Sequence, residues 1–202
     1  MARLLEMMPT SINERHIAEV VECLGDGGII VYPTDTVYAL GCDAMNNHAI
    51  ERICAMKEMK SAKTNLSIIC ADISEVSQYA KFDNTQFRLM KSNLPGPFTF
   101  IFPAMSKLPK AFKGRRTVGI RIPDNEIALS IVRALGHPIL TTSVPGQDED
   151  YRCEPGLIAE ALDNMVDIVI DAGRGSIIPS TVIDCTGSNP EVVRQGRGEL
   201  KY

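Results

Sequence analysis

Hydrophobic and polar positions alternate along this chain with two different periods. From residue 11 to residue 25, Ile17, Val20, Val21 and Leu24 recur at helical spacing, and Ser11 with Glu14 has the form of a capping box, so a first helix is predicted there. Gly25-Asp26-Gly27-Gly28 follows a helix and precedes a strand, which reads as a helix stop and not as a phosphate loop. An apolar run, Ile29–Tyr32, predicts a buried strand, and further strands are predicted at 66–70, 98–102, 117–122, 138–143, 167–171, 180–185 and 192–194. Helical patterns fall at 46–56, with Ile50, Ile53 and Cys54 inward, and at 74–80, 84–92, 125–135 and 156–163. The stretch 144–154 reads as a loop. Strands alternating with helices predict an α/β fold with a mixed sheet, in a single domain spanning 1–202.

The segment that carries most chemistry is Tyr32-Pro33-Thr34-Asp35-Thr36-Val37-Tyr38. Pro33 fixes φ and has no N–H for a ladder, so the strand should end there. Two Thr hydroxyls, a carboxylate and a phenol then follow within five residues. Polar groups at the end of a buried strand are where open α/β sheets tend to bind ligands; the plain alternative is a turn that merely closes the strand.

Composition narrows the classes. Hydrophobic residues make up 45% and charged residues 23%, ordinary for a globular protein. No apolar run reaches bilayer length, and Glu6 interrupts the short apolar N-terminus, which argues against a signal peptide. The six cysteines are never closer than 12 residues, so neither a zinc site nor a disulfide framework is indicated and a cytoplasmic location is expected. His16, His48 and His137 are scattered, with no metal-binding or triad spacing. No metal site and no tightly bound cofactor are expected.

The net charge of −4 conceals an asymmetry. Residues 81–121 hold nine Lys/Arg against Asp83, whereas 122–171 hold ten Asp/Glu against Arg133 and Arg152. The first block could form a basic face for phosphates, or the two blocks could neutralise one another in space.

Four ordered motifs resemble the YrdC/YciO family. They are Val31-Tyr32-Pro33-Thr34-Asp35-Thr36-Val37-Tyr38-Ala39-Leu40-Gly41, Thr117-Val118-Gly119-Ile120-Arg121-Ile122-Pro123, Ser180-Thr181-Val182-Ile183-Asp184 and Val193-Arg194-Gln195-Gly196-Arg197-Gly198. The resemblance implies a twisted mixed sheet with helices packed around it and a concave central cavity, and no further domain beyond Tyr202. It implies a pocket for threonine, bicarbonate and ATP that forms threonylcarbamoyl-AMP and pyrophosphate, a nucleotidyltransferase step of tRNA modification, with Mg²⁺ arriving on the ATP. Carried over by position, Thr34, Tyr38, Lys57, Lys60, Arg121 and Ser143 would bind substrate, and Ser143, Ser180, Thr181 and Arg194 the nucleotide; no catalytic residue is assigned. From the residues alone, Arg121 could equally form a structural ion pair, the hydroxyls of Ser180 and Thr181 could bond backbone, and Arg194 could be an exposed edge charge.

Two positions depart from the synthase pattern. Met59 stands where a Lys-x-Arg after Lys57 would place the Arg, and Pro145 stands where a Ser-x-Asn after Ser143 would place the Asn. Met offers no planar fork, and Lys60 or Lys63 could supply only point charges. These departures resemble the YciO-like branch. The expectation is a nucleotide- and RNA-binding protein, with tRNA or duplex RNA as partner and weak synthase activity. The alternatives are a fully active synthase or a non-catalytic pocket for another small acid or nucleotide.

Overall fold

The computed structural model describes residues 2–57, 66–108, 112, 115–146 and 149–202. Its strands are β1 (Arg3–Glu6), β2 (Ile30–Tyr32), β3 (Ala39–Asp43), β4 (Ser67–Ile69), β5 (Phe98–Pro103), β6 (Thr117–Arg121), β7 (Ile139–Ser143), β8 (Ile168–Asp171), β9 (Thr181–Asp184) and β10 (Glu191–Arg194). Its helices are α1 (Glu14–Gly25), α2 (Asn47–Met56), α3 (Ile73–Val76), α4 (Asn84–Asn93), α5 (Glu126–Leu135), α6 (Glu149–Cys153) and α7 (Pro155–Ala161). The strands form one mixed sheet in the order β1-β8-β2-β3-β7-β4-β6-β5-β9-β10.

Strand periodicity of two divides the side chains between the faces. On one face Cys42, Leu140, Ile68, Ile120, Phe100 and Ile183 are successive register partners across six strands. All are buried, and α2, α4 and α7 pack over this face through Ile50, Ile53, Leu89, Met90 and Ile158. Phe98, Phe100 and Phe102 stack along β5 with ring centroids 6.1 and 6.2 Å apart. On the other face, α1 and α5 bury Ile17, Val20, Leu24, Ile127 and Ile131 against Ile30, Tyr32, Ile69, Ile139 and Ile170. These two helices cover only the half of that face nearer β1. The remainder of that face, across β7, β4, β6, β5 and β9, carries Thr141, Ser67, Arg121 and Thr99 beside Gly119, Ile101 and Val182.

Two strands escaped the sequence pattern. Short β1 pairs parallel to β8. β3 pairs antiparallel with both β2 and β7, so the Pro33–Tyr38 segment is the loop of a hairpin and not merely the end of a strand. The predicted Ser11–Glu14 cap is also corrected. Ser11 donates its N–H to Met8 in a preceding turn, and Asn13 caps α1 by accepting from Arg15 N–H at 3.0 Å. The stretch read as a loop at 144–154 contains α6. Helix α5 ends at Leu135, within the predicted 125–135, with Gly136 as its left-handed cap.

Candidate functional site: a cationic, hydroxyl-lined cavity

The open half of the sheet forms the floor of a cavity of about 370 Å³, within the range of small-molecule sites. Its floor follows from strand alternation. Thr141, Ser67, Gly119 and Ile101 are successive register partners on β7, β4, β6 and β5, on the face opposite the Phe stack. Gly119 keeps the middle of the floor low, because a Cβ there would lie 2.3 Å from Ser67 Oγ and 3.2 Å from Thr99 Cγ2. Two residues further along the same face, Arg121 projects into the site.

Arg121 is 7% exposed. Its Nη2 donates to Thr36 Oγ1 at 2.9 Å and lies 3.4 Å from Asp35 Oδ1. Its Nε is buried with no partner among the described residues. Burial pushes the Asp35 carboxyl above its ordinary value, and Arg121 works against that rise. Asp35 Oδ2 also accepts from Asp124 N–H at 3.0 Å, while its carbonyl accepts from Arg197 Nη1 at 2.8 Å. The hairpin loop is thereby tied to both β6 and the C-terminal segment.

Across the cavity, Arg194 donates through Nε and Nη2 to the Ser180 carbonyl at 3.2 and 2.8 Å, and its Nη2 stands 3.2 Å from Ser180 Oγ. Ser180 Oγ shares a hydrogen bond with Thr99 Oγ1 at 2.9 Å. Burial, then the charge of Arg121, holds the Arg194 guanidinium below its ordinary value. At the opposite end, Lys57 Nζ donates to Ser143 O at 3.0 Å and lies 3.5 Å from Ser143 Oγ. Burial, then the charge of Arg152, lowers the Lys57 pKa. Arg121, Arg152 and Arg194 thus line one cavity, and among the described residues no carboxylate lines it. Like charges gathered in a recess suit an anionic ligand that relieves their repulsion.

The residues singled out from the sequence divide between several places. Arg121, Ser143, Ser180 and Arg194 meet in the cavity, and Lys57 reaches it through Ser143. Thr34 and Tyr38 instead line a smaller neighbouring recess of about 110 Å³. The Thr34 hydroxyl is used within its own turn, donating to Val37 O at 2.8 Å and accepting from Thr36 N–H at 3.0 Å. Tyr38 OH donates to Gly173 O at 2.8 Å and accepts from Ala172 N–H at 3.1 Å. Thr181 is fully buried and turned away; its Oγ1 donates to Gly198 O at 2.6 Å and accepts from Gly196 N–H at 3.0 Å. Lys60, Lys63 and Met59 lie outside the described residues. Thr36 lines the cavity as one of the two hydroxyls noted in the turn, whereas Ser67, Thr99, Thr141 and Arg152 carried no signal in the motifs. Period-two alternation in Phe98–Phe102 and Leu66–Cys70 could have found Thr99 and Ser67.

The matching family model, Sua5/YciO/YrdC, described as "Telomere recombination", covers residues 22–196. The chain belongs to the Sua5/YciO/YrdC family. It is 40% identical to Escherichia coli YciO over 205 residues, covering 100% of this chain and 98% of YciO, and 40% identical over 202 residues to an uncharacterized protein of Haemophilus influenzae, covering 98% and 97%. The crystal structure of E. coli YciO superposes with a TM-score of 0.92, covering 100% and 98% of the two chains. The similarity to threonylcarbamoyl-AMP synthase of Bacillus subtilis is more distant, 31% identity over 92% of this chain and 55% of that protein. P. abyssi Sua5 complexed with L-threonine superposes with a TM-score of 0.85 at 28% identity, over 97% of this chain and 57% of Sua5. The Sua5/YciO/YrdC motifs acquire physical reasons here. The hairpin loop, the Gly119–Arg121 strand and the Arg194–Gly198 closing segment are the pieces that hold one another around the cavity.

Among the described residues no group of three His, Cys, Asp or Glu could hold a metal ion. Among them, no helix is long and apolar enough to cross a membrane.

Proposed function

We propose that the cavity binds ATP through its phosphates, together with L-threonine, and slowly forms threonylcarbamoyl-AMP from them and bicarbonate. The observation that carries this reading is the set of three guanidiniums in a hydroxyl-lined cavity with no carboxylate among its described lining. Kinship with a threonylcarbamoyl-AMP synthase supports it. The reaction asks mainly for positioning and charge neutralisation. The threonine amine bonds to the bicarbonate carbon with loss of water, and a carbamate oxygen then displaces pyrophosphate from the α-phosphate. Guanidiniums aimed at the phosphates would stabilise charge as it moves onto the leaving pyrophosphate. Mg²⁺ would enter on the nucleotide, since the described lining offers it no carboxylate. Calorimetric titration with MgATP, with and without threonine, tests the site. Saturable binding weakened by Arg194→Ala supports the reading, and no binding of ATP by the native chain contradicts it.

A second reading, RNA binding, is favoured by a separate observation. Lys81 N–H donates to Pro103 O and Ala104 N–H donates to Arg116 O, both at 2.9 Å, which gathers Lys81 and Arg116 at one end of β5, and Lys107 follows three residues after Ala104, its Nζ donating to Gln78 Oε1 at 2.7 Å. All three are exposed. Such a patch suits the phosphate backbone of a duplex or tRNA. Affinity for duplex RNA or tRNA should fall steeply with salt, and Lys81→Gln/Lys107→Gln/Arg116→Gln should flatten that dependence. A salt-independent affinity, or none at low salt, contradicts this reading.

A further inference from the structure

Of the three guanidiniums in the cavity, two are already engaged. Arg121 is bonded to Thr36 and faces Asp35, and Arg194 is bonded to Ser180. Arg152 also lines the cavity, but among the described residues nothing accepts a hydrogen bond from it. Ser143, which accepts from Lys57 Nζ, lines the same cavity as Arg152, so two cations share this end of the site, and the charge of Arg152 adds to burial in lowering the Lys57 pKa. Elsewhere the fold spends considerable structure on holding α6, which carries Arg152. Arg174 spans two carboxylates of this segment, bonding Asp150 Oδ1 at 2.7 Å and Glu154 Oε1. Gly175 N–H donates to Cys153 O at 2.8 Å. The 172–175 turn that delivers Arg174 is itself pinned by Tyr38 OH, which bonds both Gly173 O and Ala172 N–H.

We propose that Arg152 is a polyphosphate-binding residue of this cavity, paired with Lys57, and that Arg174 and Tyr38 position it by clamping α6. This deepens the nucleotide reading above and rests on it. The ligand end that Arg152 would take is one with charge beyond a single phosphate, such as the terminal phosphates of ATP or the two phosphates of pyrophosphate. A guanidinium with no partner among the described residues can offer that group a bidentate contact, whereas Arg194 and Ser180 stand at the other end and would meet the remainder of the nucleotide. Tyr38 then acts at a distance from the ligand, through the 172–175 turn.

Affinities of MgATP, pyrophosphate and AMP for the native chain, Arg152→Ala, Arg152→Lys, Arg174→Gln, Tyr38→Phe and Arg194→Ala test the assignment, with the thermal midpoint measured for each. Arg152→Ala is expected to weaken ATP and pyrophosphate about tenfold to hundredfold, while AMP changes by less than about threefold and the midpoint is kept. Arg152→Lys should recover part of the loss. Arg174→Gln and Tyr38→Phe should lower the preference for ATP over AMP, a ratio that a general loss of stability would not alter. Arg194→Ala should weaken all nucleotides. Unchanged ATP and pyrophosphate affinity in Arg152→Ala, with Arg194→Ala still impaired, overturns this assignment and leaves the nucleotide reading standing. A native chain that binds neither ATP nor pyrophosphate overturns both.

Discussion

Arg121 on β6 donates to Thr36 in the hairpin loop at 2.9 Å, and this contact joins two motifs 85 residues apart. Asp35 lies beside it at 3.4 Å, with side chains of both partners less than a tenth exposed. Replacing Arg121 by Met should therefore destabilise the chain by about 3–5 kcal/mol, because it leaves a buried carboxylate without its cation. The loss should depend on pH. Burial already raises Asp35 above 3.8 and Arg121 opposes that rise. Without Arg121 the folded carboxyl holds its proton more tightly than the unfolded chain does. Stability from the protonated form is then present below the unfolded value and lost as pH rises through the folded one. Denaturant titrations at pH 4 and pH 7 should show a larger deficit at pH 7; an equal deficit at both would count against the pairing.

Ser180 and Thr181 are adjacent but serve opposite faces. Thr181→Val removes the donor to Gly198 O and the acceptor for Gly196 N–H in a fully buried position. It should cost about 1–3 kcal/mol of stability. Ser180→Ala removes a cavity hydroxyl shared with Thr99 and should affect stability less and nucleotide affinity more. Comparing unfolding midpoints and ATP affinity for the two variants checks this division; the reverse ordering would contradict it.

Gly196 explains its motif by close approach. A Cβ there would lie 2.3 Å from Pro179 O and 2.5 Å from Ser180 O, both backbone atoms that cannot swing aside. Gly196→Ala should cost about 1–3 kcal/mol and disturb Arg194, whose donors reach the same Ser180 carbonyl. Thermal melts and ATP titration of the variant should both show a deficit.

Much of this architecture was readable before any coordinates, for identifiable reasons. Phe98, Phe100 and Phe102 alternate with Thr99 and Ile101, so β5 announces itself and its two faces. Strand β3 does not, because Ala39 and Gly41 have little strand propensity and its pairing depends on neighbours on both sides. Arg121, Ser143, Ser180 and Arg194 could be assigned together from their motifs, and they do meet in one cavity. Tyr38 could not be placed from sequence, since its hydroxyl bonds the turn at 172–173, more than 130 residues away. Arg152 was invisible for a similar reason: its helix is held by Arg174, whose acidic partners carry no local pattern.

The cysteines give an alkaline prediction. Burial, aided by Asp167, pushes the Cys23 thiol up from 9.0 to about 11, and burial with Asp184 pushes Cys185 up to about 12. Raised pKa values mean that these thiols stabilise the fold while protonated, fully below about pH 9, and that this contribution is lost as pH climbs through 11 and 12. The unfolding midpoint should decline above pH 9, and Cys23→Ala should lessen the decline. Alkylation of the native chain at pH 8 should be slow compared with the unfolded chain.

The central claim is that this cavity runs a weak form of the synthase reaction. It is tested most directly by pyrophosphate release from ATP in the presence of threonine and bicarbonate, for the native chain and for Met59→Arg/Pro145→Asn. The account predicts slow release by the native chain that requires all three substrates, and faster release by the double variant. Release at background level from both chains would contradict it.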